Sequence, residues 1–148
     1  MTETGITIVR VFAAPRVRVW QEWTEPERFA DWFGAEACVI PLSSVTMDVR
    51  AGGSWRATML CDEGRREIHW WGEYREVVEP ERLVLTFSDE PEDGPVALVT
   101  VVLAEVGDGR TEMRFEQRGP LPPEALEGAK RGWSTFFDRM VERLATEA

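Results

Sequence analysis

Histidine is nearly absent from this sequence, in which His69 is the only one among 148 residues. A lone histidine cannot supply the two ligands of an HExxH zinc site, and that motif is missing. A hydrolytic triad would have to be built around His69. The spacing of the residues indicates no nucleophile–base pair. We therefore predict no catalytic residue, no metal site and no cofactor.

Long apolar runs are also missing, since none approaches the roughly 18 residues that a membrane helix requires. The first ten residues, MTETGITIVR, lack the basic start and the apolar core of an export signal. We expect a cytoplasmic protein with no membrane association.

Cysteine occurs only at Cys38 and Cys61, which follow neither CxxC nor metal-ligand spacing. In a cytosolic protein such residues behave as small, reduced hydrophobes. The sequence predicts two free thiols.

Positive charge is scarce, with 17 basic residues against 27 acidic ones and a net charge of −10. A negative field repels phosphate groups, which argues against nucleic acid and anionic membrane surfaces as partners. What the chain has in quantity is large rings, seven tryptophans and seven phenylalanines. Such rings dominate both protein cores and apolar pockets.

The first part of the chain predicts a strand followed by a helix. The stretch at 6–12, ITIVRVF, is rich in β-branched residues and stops at AAP. Pro15 suits the first turn of a helix, and the apolar spacing then favours a face made of Val17, Trp20 and Trp23.

A second short helix is predicted directly afterwards. Thr24 would be its N-cap and Glu27 would complete a capping box. Gly34 would end it, and its apolar face would comprise Phe29, Trp32 and Phe33.

From residue 44 to residue 118 the apolar period changes to two, which predicts an antiparallel meander. In the second of its strands, alternate residues from Trp55 to Cys61 share one apolar face. GDG at 107–109 is a strong hairpin signal. The predicted strands are 44–50, 52–61, 66–77, 83–87, 96–106 and 110–118, with an acidic loop at 88–95.

Alternation in EIHWWGEY, residues 67–74, decides the orientation of the histidine. His69 shares a face with charged residues and should point to solvent, while Trp70 and Tyr74 point inward. A bulge near Gly72 would reverse this assignment. Trp71 on the outer face is either covered by its neighbours or part of a homodimer interface.

The C-terminal region predicts one long helix opened by Pro123. Gly128 and Gly132 lie inside it and cost about 1 kcal/mol each relative to alanine, which requires either close backbone packing or a cavity beside them. Its apolar stripe comprises Leu126, Ala129, Trp133, Phe136, Phe137, Met140 and Leu144.

The order of these elements over residues 1–148 predicts a single domain, and it resembles the helix-grip fold of START-like (SRPBCC) domains. More narrowly it resembles the Aha-type homologues of activators of heat-shock-chaperone ATPases. The segments that carry the resemblance are AAPRVRVWQEWTEPERFADWF, MDVRAGGSWRATM, GEYREVVEPERLVLTF, GDGRTEMRF and RGWSTFFDRMVERL.

The resemblance implies an α+β fold in which a curved antiparallel sheet and two short helices pack against a long C-terminal helix. It also implies an apolar cavity between sheet and helix. The inward-facing positions of the predicted strands and helices, together with the resemblance, indicate a set of ligand-binding residues. They are Trp32, Phe33, Trp55, Met59, Trp70, Tyr74, Leu85, Phe87, Met113, Phe115, Trp133, Phe137 and Met140. The alternative is that these rings fill the space and form only a core.

The family does not imply one function, because its members include chaperone activators, cyclases, hydrolases and carriers of lipids or hormones. Our first hypothesis is a cytosolic binding protein for a small, apolar, lipid-like or aromatic molecule. An enzyme of the cyclase or hydrolase kind, with Tyr74 or a buried acid moving a proton, is the second. The third is a module that interacts with a chaperone through its surface.

Overall fold

The computed structural model describes residues 4–34, 38–89, 96–119 and 123–147. Within these ranges the chain forms eight strands, three α-helices and one 3₁₀ turn. In chain order they are β1 (Thr4–Phe12), α1 (Arg16–Thr24), α2 (Pro26–Trp32), β2 (Cys38–Val39), the 3₁₀ turn (Leu42–Ser44), β3 (Thr46–Met47), β4 (Ser54–Cys61), β5 (Arg66–Val78), β6 (Arg82–Phe87), β7 (Ala97–Gly107), β8 (Arg110–Gly119) and α3 (Pro123–Glu147).

The strands form one curved antiparallel sheet in the order β1-β8-β7-β6-β5-β4-β2, with β3 also paired to β4. Strands β4 to β8 form the predicted meander, and β1 joins it by pairing with β8. The predicted α+β architecture is confirmed. The predicted strand at 44–50 is shorter than expected, because only Thr46 and Met47 pair with β4. Most of the acidic loop, residues 90–95, lies outside the described residues.

The predicted alternation in β4 and β5 is confirmed. In β4, Trp55, Ala57, Met59 and Cys61 are buried. In β5, the His69 side chain is 69% exposed, with Glu67 at 3.6 Å and the Thr58 hydroxyl at 3.2 Å. The strand keeps its register past Gly72, and the irregularity against β6 falls later, between Tyr74 and Glu76.

Gly72 is required by a hydrogen bond that crosses β5. Trp55 is its partner on β4, and the Trp55 indole donates to the carbonyl oxygen of Thr86 on β6 at 3.0 Å. A Cβ atom at Gly72 would overlap that carbonyl and lie 2.5 Å from the indole nitrogen. Glycine is therefore the residue that lets β4 reach β6 across β5.

The boundary between α1 and α2 differs from the prediction. Thr24 is the last residue of α1, and its hydroxyl donates back to the carbonyl of Trp20 at 2.9 Å. Glu25 is the N-cap of α2, with Pro26 at the first helical position, so the predicted capping box is wrong. Gly34 follows α2 with φ +94°, as expected for a helix stop.

The predicted apolar face of α1 is also partly wrong. Val17 is 45% exposed, whereas Val19, Trp20 and Trp23 are buried. The valines alternate in RVRVW, so the pattern is compatible with either Val17 or Val19 on the buried face of the helix. Packing in the folded protein buries Val19.

The long helix α3 packs beside β1, α1 and α2. Arg10 of β1 anchors it through Asp138 at 2.8 Å and the Ser134 carbonyl at 3.1 Å. Among the described residues, apart from chain neighbours and the local helix backbone, no heavy atom lies within 4 Å of a Cβ built at Gly128 or Gly132, so the close-packing alternative is wrong. None of the helices in the described ranges is long and apolar enough to cross a bilayer.

The predicted free thiols are wrong, because Cys38 and Cys61 form a disulfide. They are cross-strand partners in β2 and β4, with Cα atoms 4.3 Å apart. A two-residue strand shows no alternation, so no sequence pattern indicated that β2 would bring Cys38 to β4.

Candidate ligand-binding site

An aromatic cluster fills the space between the sheet and the helices. Neighbouring rings lie with centroids 4.5 to 6.2 Å apart, the usual range for favourable ring pairs. The cluster comprises Trp23, Phe29, Trp32, Phe33, Trp55, Trp70, Phe87, Phe115, Trp133, Phe136 and Phe137.

The inner part of this cluster is closed core. Trp23 stacks on Phe115 and Trp133 at 6.2 Å, and all three are buried. Their polar atoms are satisfied, because the Trp23 indole donates to the sulfur of Met113 and the Trp133 indole donates to Gln117 at 2.7 Å. These rings stabilise the fold by packing, as in an ordinary protein interior.

We give the name outer aromatic site to Phe33, Trp70, Phe87 and Phe136 together with Trp133, which the site shares with the inner core. It is assembled from the end of α2, from β5 and β6, and from α3. Trp70 stacks on Phe87 at 4.5 Å, and Phe136 packs on Phe33 at 5.4 Å. Trp70, Phe87 and Phe136 are only partly buried, which distinguishes this site from the inner core.

The indole of Trp70 has an unusual environment. Its N–H group is shielded from solvent and has no hydrogen-bond partner in the described structure. An unpaired buried donor costs about 1–3 kcal/mol, so such groups in folded proteins call for an explanation. By contrast, four other indoles of the cluster donate to protein acceptors, those of Trp23, Trp32, Trp55 and Trp133.

Within the part of the chain that the structure describes, the Cβ position of Gly132 on α3 is open. Gly132 is half-buried and precedes Trp133, and it lies one helical turn before Phe136. No heavy atom outside its chain neighbours and the local helix backbone lies within 4 Å of its Cβ position. Gly128 also has an open Cβ position but is exposed, whereas Gly132 is half-buried on the part of α3 that carries Trp133 and Phe136.

The structure separates the nominated residues into two groups. Phe33, Trp70, Phe87 and Trp133 meet at the outer aromatic site. Phe136 also belongs there, and its place in the helical stripe was the signal that could have nominated it. The nominated residues that are buried in the core are Trp32, Trp55, Met59, Leu85, Met113, Phe115, Phe137 and Met140.

Tyr74 occupies a different position from these rings. It is buried, and its backbone bonds to Gly52 and Gly53 at 2.8 Å. Burial, and then the negative charge of Asp48, raise the pKa of Tyr74 well above that of a free phenol. Its hydroxyl therefore stays protonated near neutral pH and cannot serve there as a general base.

A cluster of charged residues joins the three helices. Glu22 of α1 is fully buried and accepts hydrogen bonds from Arg143 at 2.8 and 3.2 Å, with Arg28 at 3.5 Å. Arg143 also pairs with Asp31. Because each charge faces an opposite one, this cluster is a link between α1, α2 and α3. Within the described ranges, no group of three or more His, Cys, Asp or Glu residues could hold a metal ion.

A curved antiparallel sheet gripping a long C-terminal helix defines a helix-grip domain of the START-like class. The chain belongs to the family described as Activator of Hsp90 ATPase homolog 1-like protein, whose model matches residues 13–145. No curated protein is detectably similar to the chain.

Solved structures from several bacteria share the fold. Protein CV1439 from Chromobacterium violaceum is 26% identical, with a TM-score of 0.81 over 95% of this chain and 96% of its own. Protein NE0264 from Nitrosomonas europaea is 25% identical, with a TM-score of 0.81 over 97% and 95%. The AHSA1 protein SPO3351 from Silicibacter pomeroyi is 19% identical, with a TM-score of 0.86 over 98% and 100%.

Proposed function

We propose that this protein binds a small, largely apolar molecule, aromatic or lipid-like, at the outer aromatic site between the sheet and α3. We further propose that the ligand carries a hydrogen-bond acceptor for Trp70, and that the protein works in the cytoplasm. The observation that carries this proposal is the shielded and unpaired N–H group of Trp70.

The apolar part of the ligand follows from the rings around that donor. Phe87 stacks on the Trp70 ring, and Phe136 and Phe33 lie on the side of α3 and α2. Partly buried rings gain about 25 cal/mol for each Å² of apolar surface that a ligand removes from water. A flat or chain-like apolar ligand therefore fits this environment, with Gly132 leaving room beside it.

The hydrogen-bond acceptor that we propose on the ligand follows from the Trp70 N–H donor. A ligand carbonyl or ether oxygen bonded to the Trp70 N–H would satisfy the one unpaired indole of the site. Sites built in this way combine mostly apolar contacts with a few polar groups that fix orientation.

The alternatives have less support in the site. An enzyme would need a buried acid or Tyr74 to move a proton. The fully buried acid Glu22 is bonded to Arg143, away from the outer aromatic site, and Tyr74 keeps its proton, so it has no role there as a base. Interaction with a chaperone and formation of a homodimer remain predictions. Trp71, on which the homodimer prediction rests, is half-buried and its backbone pairs with Ser88.

The test compares two probes of the same shape, 2-acetylnaphthalene, which carries a carbonyl acceptor, and 2-ethylnaphthalene, which does not. Binding is measured by quenching of tryptophan emission and by calorimetry. Trp70→Phe keeps a ring against Phe87 but removes the donor. We expect it to weaken the acetyl probe about tenfold, equivalent to about 1.4 kcal/mol, and to leave the ethyl probe within about twofold.

Trp71→Phe is the matched control, because it makes the same change one residue away on the opposite face of β5. It should leave both affinities unchanged. Absence of saturable binding of either probe to folded wild-type protein would contradict the proposed function. Equal loss of both probes in Trp70→Phe would contradict the role of the N–H group.

A further inference from the structure

The disulfide is the covalent link between one edge of the sheet and the strand beside it. We define the edge segment as residues 38–47, which contain β2, the 3₁₀ turn and β3. It is attached to β4 by the Cys38–Cys61 bond and by its two short strands. A third attachment is the Ser44 hydroxyl, which accepts a hydrogen bond from the Thr58 amide at 3.1 Å.

The first half of the edge segment depends most on the disulfide. β2 has only two residues, so few backbone hydrogen bonds hold it to β4, and each makes a small net contribution. Val39 is 64% exposed, which leaves Ile40 as the buried side chain of this half. The second half is better anchored, by Val45 and by Ser44.

The edge segment begins beside the residue that follows the end of α2. A Cβ built at Gly34 is 3.4 Å from Cys38 Cβ and 3.4 Å from the terminal methyl of Met59, so these three residues are adjacent. Gly34 directly follows Phe33, whose ring contacts Trp70 at 6.0 Å. Movement of Cys38 away from β4 would remove a neighbour of Gly34 and Met59, one residue along the chain from Phe33.

We propose that Cys38–Cys61 is a reversible thiol–disulfide switch whose reduction releases the first half of the edge segment and opens access to the outer aromatic site. The consequence for access rests on the proposed function, whereas release of the segment does not. Reactivity of the bond rests on the proposed cytoplasmic location, because the disulfides of cytosolic proteins are usually transient and act in catalysis or redox sensing.

The exchange requires a dithiol reductant. Its thiolate attacks the sulfur of Cys38, the half-buried partner, and the bond to Cys61 breaks, so Cys61 leaves as a thiolate and takes up a proton. The second thiolate of the reductant then displaces Cys38, which is protonated in turn. Two electrons and two protons reach the protein, and the reductant becomes a disulfide.

The test compares oxidised protein with protein reduced by dithiothreitol. Amide hydrogen exchange at residues 38–40 should accelerate at least about tenfold on reduction, with β6, β7 and β8 unchanged. The association rate of 2-acetylnaphthalene, measured by stopped-flow fluorescence, should rise at least about tenfold in the same samples.

The thiol-free variant Cys38→Ala/Cys61→Ala is the control, since these are the chain's two cysteines. It should exchange and bind like the reduced protein, and dithiothreitol should have no further effect on it. Unchanged exchange on reduction of wild-type protein would overturn the switch, and it requires no variant to fold. Faster exchange with an unchanged association rate would overturn the control of access. If neither state binds the probe, the proposed function fails, and hydrogen exchange alone decides whether the segment is released.

Discussion

Gly72→Ala tests whether the sheet is held together by the hydrogen bond that crosses β5. The added methyl group would overlap the Thr86 carbonyl and separate it from the Trp55 indole. Overpacking costs about 1–3 kcal/mol, and leaving the buried donor and acceptor unpaired costs about 1–3 more. The lower backbone entropy of alanine offsets about 0.5–1 kcal/mol, so we expect a net loss of about 3 kcal/mol.

The assay is urea unfolding followed by tryptophan emission. With a slope of about 2 kcal/mol per M, the midpoint should fall by about 1.5 M while the slope stays constant. Gly128→Ala is the control, because it adds the same methyl group to an exposed, open position in α3. It should stabilise the protein by up to about 1 kcal/mol. A Gly72→Ala variant within about 0.5 kcal/mol of wild type would refute the crossing geometry.

Other measurements follow from single residues. Absorbance at about 295 nm should show the one tyrosine, Tyr74, ionising only far above pH 10, its ordinary pKa. Folding raises that pKa, so the contribution of Tyr74 to the free energy of unfolding should be fully present below about pH 10 and should decline above it. Tyr74→Phe should remove this part of the decline in urea titrations at alkaline pH. Arg143→Met, which strips Glu22 of its main partner, should cost about 3 kcal/mol, against less than about 1 for the exposed Arg139→Met. His69→Ala should change the free energy of unfolding by less than about 0.5 kcal/mol.

The sheet was predictable because the alternation of apolar and polar residues alone decides which side chains fill its inner face. Trp55, Met59 and Cys61 are buried as parity requires, and His69 points outward for the same reason. The stop at Gly34 was equally clear, since a left-handed residue after an apolar turn is a local signal.

What could not be predicted depends on contacts between distant parts of the chain. The sequence around Thr24 satisfies the rule for a capping box, yet α1 extends to include it and its hydroxyl bonds within that helix. The disulfide depends on β2, which is too short to have a periodic pattern. Likewise, the alternation along β5 placed Trp70 on the inward face but could not show that its N–H group lacks a partner.

The pairing of β1 with β8 has a consequence for how the protein is made. Thr4 lies opposite Gly119 and Phe12 lies opposite Thr111, so each contact spans roughly a hundred residues of chain. On the ribosome, β4 to β8 emerge in the order in which they pair, and each can form a hairpin with its predecessor. β1 is translated before its partner β8, so the sheet gains that edge only after roughly a hundred further residues have been made. Until then β1 has no partner strand, its apolar residues Ile6 and Ile8 are not yet buried, and the incomplete sheet is prone to aggregation.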